Sequence, residues 1–336
     1  MESACFSSGM ASIASLFLAL LKKGDHIIAS QYLFGNTVSF FKTLIRLGFD
    51  VDFVDTCNID EVKKHFKKET RFLFFETISN PTTQVPDIPS LSTLCKNENV
   101  ISIVDNTITT PFLFQPKKWG FTFSQHSLSK YIAGHGEALG GSVTDLGNYK
   151  WDEDPNIIEM YKKRDCLSKG IFQIKKKAVR DMGPSLSPTA AMRILTGAET
   201  LSLRMTKHME NATAIANYLK GHKKVEKVYY PGLKEHPQYE IVQKCFSGSS
   251  GILSFSLKGN GDPVAFLDDL NIIIPATHLG DTRSLAIPVA QTIFYEMGVE
   301  GRKKTGISEN LIRLSVGIEN TEDLIADIDK ALFKQN

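Results

Sequence analysis

The sequence is short of everything that would mark it as secreted, metal-stapled or membrane-spanning. It has only five cysteines in 336 residues: Cys5, Cys57, Cys95, Cys166 and Cys245. Their number is odd, their spacings are wide, and no Cys-x-x-Cys or Cys/His pairing suggests zinc, so neither a disulfide framework nor a metal site is expected. Thiols in a reducing cytoplasm are the simple reading. No run reaches the roughly 18 apolar residues of a bilayer helix. The apolar stretch from Ile13 to Leu21 has its basic residues, Lys22 and Lys23, after it rather than before it, and no small-residue cleavage site comes next. It therefore reads as a buried helix and not as a signal peptide. Charge of one sign is lacking too. The 39 basic and 37 acidic residues leave +2, which gives no electrostatic case for nucleic acid or a membrane surface. The triple lysine at 175–177 reads as a solvated face.

What remains is an ordinary globular composition, 42% hydrophobic and 23% charged, in a chain long enough for two domains. The first half alternates cleanly. A helix from about Met10 stops at Gly24, and a strand runs from Asp25 to Ser30. A helix from Asn36 to Leu47 is closed by Gly48. Then come a strand from Asp50 to Asp55, a helix from Ile59 to Phe66, a strand from Arg71 to Glu76, a helix near Ser90 to Lys96, and a strand from Val100 to Asp105. The runs at Phe72–Phe75 and Val100–Val104 are apolar throughout, as in parallel strands covered on both faces. The alternation implies an α/β domain with a mainly parallel sheet and right-handed crossovers. Ligands in such sheets sit at the carboxyl ends of strands, and Glu76, Asn80 and Asp105 all fall at or just past one.

After a less regular stretch at 145–190, a long helix is expected from about Met192 to Lys220. It leads into a smaller α+β pattern with strands at Val225–Tyr230, Gly251–Leu257 and Leu311–Val316, a helix after Pro263, and a last helix capped by Asn320 and Thr321. We place the domains at 1–200 and 201–336.

The chemistry clusters in a few places. Ser7, Ser8, Gly9 and Met10 open a helix, whose unpaired amides and dipole favour a phosphate; on their own they also suit an ordinary serine cap. Ser127, Ser129 and Lys130 combine hydroxyls for an anion with an amine that burial can hold neutral. Asp105, at the end of a buried strand, needs a partner, and a pyridinium nitrogen is a good one. Phe34 could stack on a ring or pack in the core. Arg313 sits in a strand otherwise suited to burial, where a substrate carboxylate or a structural salt bridge would satisfy its fork. Taken together, these residues read as a site for a phosphorylated aldehyde cofactor that bonds a lysine.

These segments resemble the Cys/Met-metabolism family of pyridoxal-phosphate enzymes, which includes cystathionine γ-synthase, the γ-lyases and the O-acetylhomoserine sulfhydrylases. The resemblance runs over essentially the whole chain. It is carried by Ser-Ser-Gly-Met at 7–10, Phe-Gly-Asn-Thr at 34–37, Glu-Thr-Ile-Ser-Asn-Pro at 76–81, Val-Asp-Asn-Thr at 104–107 and Gln-His-Ser-Leu-Ser-Lys-Tyr at 125–131. Gly-His-Gly at 134–136, Gly-Ala-Glu-Thr-Leu at 197–201, Leu-Gly-Asp-Thr-Arg-Ser-Leu at 279–285 and Leu-Ile-Arg-Leu-Ser-Val-Gly-Ile-Glu at 311–319 extend it.

The resemblance implies the aspartate-aminotransferase fold type: a large, mainly parallel sheet domain of about seven strands and a smaller C-terminal α+β domain. It implies pyridoxal 5'-phosphate as cofactor, with Lys130 as the lysine that bonds it and shuttles protons. Asp105 would pair with the ring nitrogen, the Gly9 and Met10 amides and the Ser127 and Ser129 hydroxyls would hold the phosphate, and Asn80 would lie near the ring oxygen. Arg313 and Ser284 would hold the substrate carboxylate. It also implies a homo-oligomer, a dimer of dimers.

Within the family the sulfhydrylase branch is most similar, which makes γ-replacement on O-acetylhomoserine by sulfide or methanethiol the leading expectation. Cystathionine γ-synthase and the methionine or cystathionine γ-lyases are the alternatives. The sequence departs from the family pattern at three points. Phe34 stands where many members have tyrosine. Ala286 to Ile293 replaces a histidine-rich stretch. Only six residues precede Ser7, where the family carries several dozen with a Tyr-x-Arg for the neighbouring subunit's phosphate. The last point makes a truncated, catalytically weak member a further expectation.

Overall fold

Twelve strands and their helices form two sheets in this computed structural model, which describes residues 1–259 and 261–335. One unit comprises residues 1–77, 86–129 and 137–195; the other comprises 78–85, 130–136 and 196–336.

The first unit holds β1 (Glu2–Phe6), β2 (His26–Ser30), β3 (Asp50–Val54), β4 (Thr70–Glu76), β5 (Ile101–Asp105), β6 (Phe123–Ser127) and β7 (Gly141–Asp145), ordered β1-β7-β6-β5-β4-β2-β3. Strands β2 to β6 are mutually parallel, and β7 runs antiparallel to both β6 and β1. The large, mainly parallel sheet is thus present. Three of its strands, β1, β6 and β7, carry no apolar run. Their sequences, ESACF, FSQHS and GSVTD, hide polar side chains: Ser124, Gln125 and His126 are all buried.

Helix α1 (Gly9–Leu20) buries Ile13, Leu16, Phe17 and Leu20, as the apolar stretch there predicts. Phe17 anchors an aromatic cluster, edge-on to Phe41 at 5.1 Å and to Phe72 at 5.6 Å. Such pairs contribute about 0.5–1.5 kcal/mol beyond their buried area. Helix α2 (Gly35–Arg46) ends where Gly48 takes φ +91, a left-handed turn that lets the Phe49 amide donate to Leu44 O at 3.1 Å. The lysines at 175–177 are half-buried: Lys175 pairs with Glu2, Lys177 with Asp181, and Lys176 lies over the Phe172 ring.

The second unit holds β8 (Val225–Tyr229), β9 (Ile252–Leu257), β10 (Ile274–Pro275), β11 (Leu285–Pro288) and β12 (Leu311–Ser315), ordered β10-β11-β12-β9-β8 and antiparallel except for the β10/β11 pair. Its core packs Ile215 and Leu219, Leu253 and Phe255, Ile312 and Leu314, and Leu324 and Ile328 together. The last helix (Thr321–Phe333) begins on Asn320, whose Oδ1 accepts from the amides of Glu322 (2.8 Å) and Asp323 (3.2 Å).

The long helix expected from about Met192 to Lys220, with room for a bend, is present as two helices, Pro188–Glu199 and Leu201–Lys220, separated at Thr200. At the junction the Arg204 guanidinium folds back onto Gly197 O at 2.6 Å, a backbone acceptor that a continuous helix would use, and onto the Thr200 hydroxyl at 3.0 Å. No helix among the described residues is long and apolar enough to cross a membrane.

Candidate active site

The expected site residues divide between the two units. Gly9, Met10, Phe34, Asp105, Ser127 and Ser129 belong to the first; Asn80, Lys130, Ser284 and Arg313 belong to the second.

In the first unit, strand register gathers the residues on one rim. Glu76 and Asp105 are opposite each other at the carboxyl ends of β4 and β5, and Asp105 is opposite Gln125, two residues before the carboxyl end of β6. Ser127 and Phe6 are both opposite Gly141, so the chain leaving β1 enters α1 beside Ser127. The approach is close. A Cβ on Gly9 would lie 2.8 Å from the Ser127 Cβ, and one on Gly141 would collide with the Ser8 carbonyl. Ser8 caps α1, its Oγ accepting from Ala11 N at 3.1 Å. The amides of Gly9 and Met10 lie in the first turn, where a helix provides no intrahelical acceptor. Ser129 is committed locally: its hydroxyl donates to Gly140 O (3.3 Å) and accepts from Gly140 N (3.0 Å).

Asp105 is held by Thr107, a residue with no assigned role in the sequence reading. The Thr107 amide donates to Asp105 Oδ1 at 3.0 Å, and Thr107 Oγ1 accepts from the Ser127 amide at 2.8 Å. One threonine therefore ties the acid to the hydroxyl loop. Burial pushes the Asp105 carboxyl up to about 6, against the Thr107 hydrogen bonds, which lower it. Glu76 has a task as well: its Oε1 accepts from the Phe34 amide at 2.6 Å and fixes the entry to α2. The Asp-x-Thr spacing could have flagged Thr107 as an Asx-type turn. The Glu76–Phe34 contact spans 42 residues and left no local signal.

In the second unit, burial pulls the Lys130 amine down to about 8, with the Arg313 charge acting in the same direction. Its Nζ is 3.1 Å from His278 Nδ1, a partner the sequence reading did not single out. Arg204 clamps the chain just past Lys130, donating to Tyr131 O (2.6 Å) and Ile132 O (3.2 Å). Gly134, at φ +76, clears the space for that guanidinium.

Arg313 is fully buried on β12, and among the described residues no carboxylate is a hydrogen-bond partner. Nη1 donates weakly to Asn80 Oδ1 at 3.5 Å, Nη2 donates to His278 O at 2.7 Å and Thr277 O at 3.3 Å, and Nε has no acceptor among the described residues. Burial pulls the guanidinium down to about 10. A buried cation held only by carbonyl oxygens is set for an incoming anion. Ser284 is engaged elsewhere: its hydroxyl donates to Glu319 Oε2 at 2.9 Å and accepts from Gly317 N at 2.8 Å.

These donors fit pyridoxal phosphate group by group. Helix-turn amides and a hydroxyl suit a phosphate, a half-buried acid of raised pKa suits a ring nitrogen, and a half-buried amine of lowered pKa suits an aldehyde.

Residues 1–333 match the Cys/Met metabolism PLP-dependent enzyme family. An L-methionine gamma-lyase of Fusobacterium nucleatum subsp. nucleatum is 39% identical over 98% of this chain and 79% of its own length. A cystathionine beta-lyase of Lactococcus lactis subsp. cremoris is 38% identical over 98% and 81%. Among solved structures, a candidate O-acetylhomoserine (thiol)-lyase from Campylobacter jejuni superposes with a TM-score of 0.93 at 34% identity, covering 99% of this chain and 82% of that one; it carries an N'-pyridoxyl-lysine-5'-monophosphate. Fold and site thus define a pyridoxal-phosphate-dependent enzyme of the aspartate-aminotransferase fold type. Within that class, the chain belongs to the family of Cys/Met-metabolism enzymes.

Proposed function

We infer that the chain catalyses γ-replacement on O-acetylhomoserine: acetate leaves, and sulfide or methanethiol takes its place to give homocysteine or methionine. The observation that carries this reading is Phe34. A phenyl ring cannot protonate a leaving group. The nearest phenol on the same loop, Tyr32, donates to Asp55 Oδ2 at 3.1 Å, and burial pushes its pKa up to about 12. Acetate departs without a proton, because carboxylic acids ionise near pKa of about 4. A thiolate, whose parent thiol sits near about 8.5, benefits far more from an acid. A site with this loop therefore suits an ester leaving group better than a thioether.

Each residue then has a task. The Gly9 and Met10 amides and the Ser127 hydroxyl bind the phosphate, with Ser129 holding their loop against Gly140 and able to turn its hydroxyl inward. Asp105 pairs with the ring nitrogen, Phe34 stacks on the ring, and Asn80 lies near the ring oxygen. When bound, pyridoxal phosphate supplies an electron sink for carbanions at the substrate α and β carbons. Lys130 would take the α proton, hand it on to the bound cofactor and, neutral again, take a β proton, which its lowered pKa permits near neutrality. Arg313 receives the substrate carboxylate through its unpaired Nε edge, and Ser284 joins it by releasing Glu319.

The 39% identity to a methionine gamma-lyase favours a second reading, γ-elimination from methionine or cystathionine; cystathionine synthesis by the same γ-replacement is a close variant. The assay is direct. Purified chain with pyridoxal phosphate is given O-acetylhomoserine and sulfide, or methionine alone, with Lys130→Ala as control. We expect homocysteine to form at least tenfold faster than 2-oxobutanoate. The reverse ratio would replace this reading with the lyase one. A Lys130-dependent visible band with neither product would mark a catalytically weak member.

The exposed apolar side chains Leu139, Met192 and Leu195 support a homo-oligomer, a dimer of dimers. The five thiols, none in a disulfide, suit a reducing cytoplasm.

A further inference from the structure

The amino ends of the parallel strands carry a second cluster of polar side chains, at the opposite rim of the first unit's sheet from Glu76 and Asp105. His26 opens β2, Asp50 opens β3 and Thr70 opens β4. In the parallel register Asp50 is the partner of His26, and Asp52 follows two residues along β3. The three side chains therefore stand on one face of the sheet. His26 is fully buried, and its Nδ1 is 2.8 Å from Thr70 Oγ1. Its Nε2 is buried too and makes no hydrogen bond among the described residues, although Asp52 Oδ2 is only 3.2 Å away. The Lys67 ammonium reaches in from outside, 2.9 Å from Asp50 Oδ2 and 3.0 Å from Asp52 Oδ2.

Three features of this cluster suit a cation of higher charge. Ligand atoms of His26, Asp50 and Asp52 lie within 4.8 Å of one another. The 3.2 Å between Nε2 and Oδ2 is near the edge of a tetrahedron whose centre is about 2.1 Å from each corner, the length of a zinc bond to imidazole or carboxylate. Two carboxylates also face one ammonium, so one negative charge of the cluster is left over. With Nδ1–H donating to Thr70, the Nε2 lone pair is bare. That is the form of imidazole that binds metals, and the hydroxyl fixes the ring as the outer partners of metal-bound histidines do. A bare nitrogen beside a carboxylate oxygen is repulsive unless something positive lies between them.

We propose that His26 Nε2, Asp50 and Asp52 form a site for a divalent transition-metal ion, with zinc preferred, and that Lys67 is its built-in competitor. Lys67 holds the ion's place between the carboxylates and swings outward when the ion arrives; its side chain is 40% exposed. Asp50, released by Lys67, then closes onto the ion. One imidazole with two carboxylates is a donor set for zinc, cobalt or nickel, whereas calcium and magnesium take oxygen alone. Cysteine spacing could not show this site, because its ligands come together only through strand register.

Equilibrium dialysis of the full, tag-free chain against zinc chloride tests the proposal. Wild type is compared with Asp52→Asn and Lys67→Met, both at partly exposed positions. We expect one zinc per chain. Binding should be at least about tenfold weaker in Asp52→Asn, the loss of a ligand, and about tenfold tighter in Lys67→Met, the loss of a competing charge. Magnesium in about a hundredfold excess should leave the zinc in place. The proposal is overturned if wild type retains no zinc, if Asp52→Asn binds as wild type does, if Lys67→Met fails to tighten binding, or if magnesium displaces the ion. Should Asp52→Asn not fold, Asp50→Asn, at a more exposed position, is expected to weaken binding by the same factor, and unaltered binding there overturns the proposal equally.

Discussion

The two units hold a charged site residue in opposite ways. In the first, Asp105 ends a parallel strand and meets Thr107, two residues along the chain. In the second, Arg313 sits mid-strand in an antiparallel sheet, and its donors go to Asn80, Thr277 and His278, which lie 233, 36 and 35 residues away. The acid is met locally, by the residue two positions along the chain. The guanidinium is met only in part, by backbone and side-chain oxygens assembled from distant segments. The first kind of site can be read from a short motif; the second exists only once the fold does.

Replacing Arg313 by methionine breaks the comparison most severely. Methionine fills a similar volume without a charge, and exchanging a buried ion for an apolar side chain is often neutral for stability. We expect denaturant stability within about 1 kcal/mol of wild type but substrate half-saturation raised about 100-fold, from the lost charged contact. A large fall in stability with unaltered half-saturation would make Arg313 a structural ion.

Asp105→Asn probes the other unit. The carboxyl, at about 6 when folded against 3.8 as reference, binds its proton more tightly in the native state. Ionising it therefore costs stability: the penalty is absent below about pH 4, grows between 4 and 6, and is complete above 6. The cofactor-free asparagine variant should be more stable than wild type at pH 7.5 by on the order of 2–3 kcal/mol, and the gain should vanish near pH 4. Urea unfolding at the two pH values checks this. A gain independent of pH would show that Asp105 is not the group that titrates.

The smallest effect sharpens the local side. Thr107→Val removes the acceptor of the Ser127 amide while keeping the shape, which should cost about 1–2 kcal/mol in urea. The thermal midpoint should fall with it, and the Lys130-dependent band should still form.

Much of the fold was open to reading because apolar periodicity marks covered parallel strands; β2 to β5 and α1 to α4 (with α3 at Ile59–Lys64 and α4 at Ile88–Asn97) follow it. The strands β1, β6 and β7 did not show, because their buried faces carry Ser, Gln and His, whose partners come from elsewhere: Gln125 Nε2 donates to Ser12 Oγ at 2.9 Å. The junction at Thr200 carries no proline or glycine, and the Arg204 side chain that folds back onto Gly197 O there comes from the following turn. At the site, Asp105 and Lys130 stood out by position. His278 did not, because a single histidine in a Thr-His-Leu-Gly stretch has no periodicity, and its meaning lies in a contact 148 residues away.

The glycine pair at the rim has a consequence for how this chain can drift. Gly9 faces the Ser127 Cβ and Gly141 faces the Ser8 carbonyl, so even alanine at either place would push the helix start away from the hydroxyl loop. Neither position depends on what the enzyme does with its substrate. In a saturation library selected only for cofactor retention, both codons should stay fixed while their neighbours vary. Such a library would separate the inheritance of the cofactor from the inheritance of the reaction.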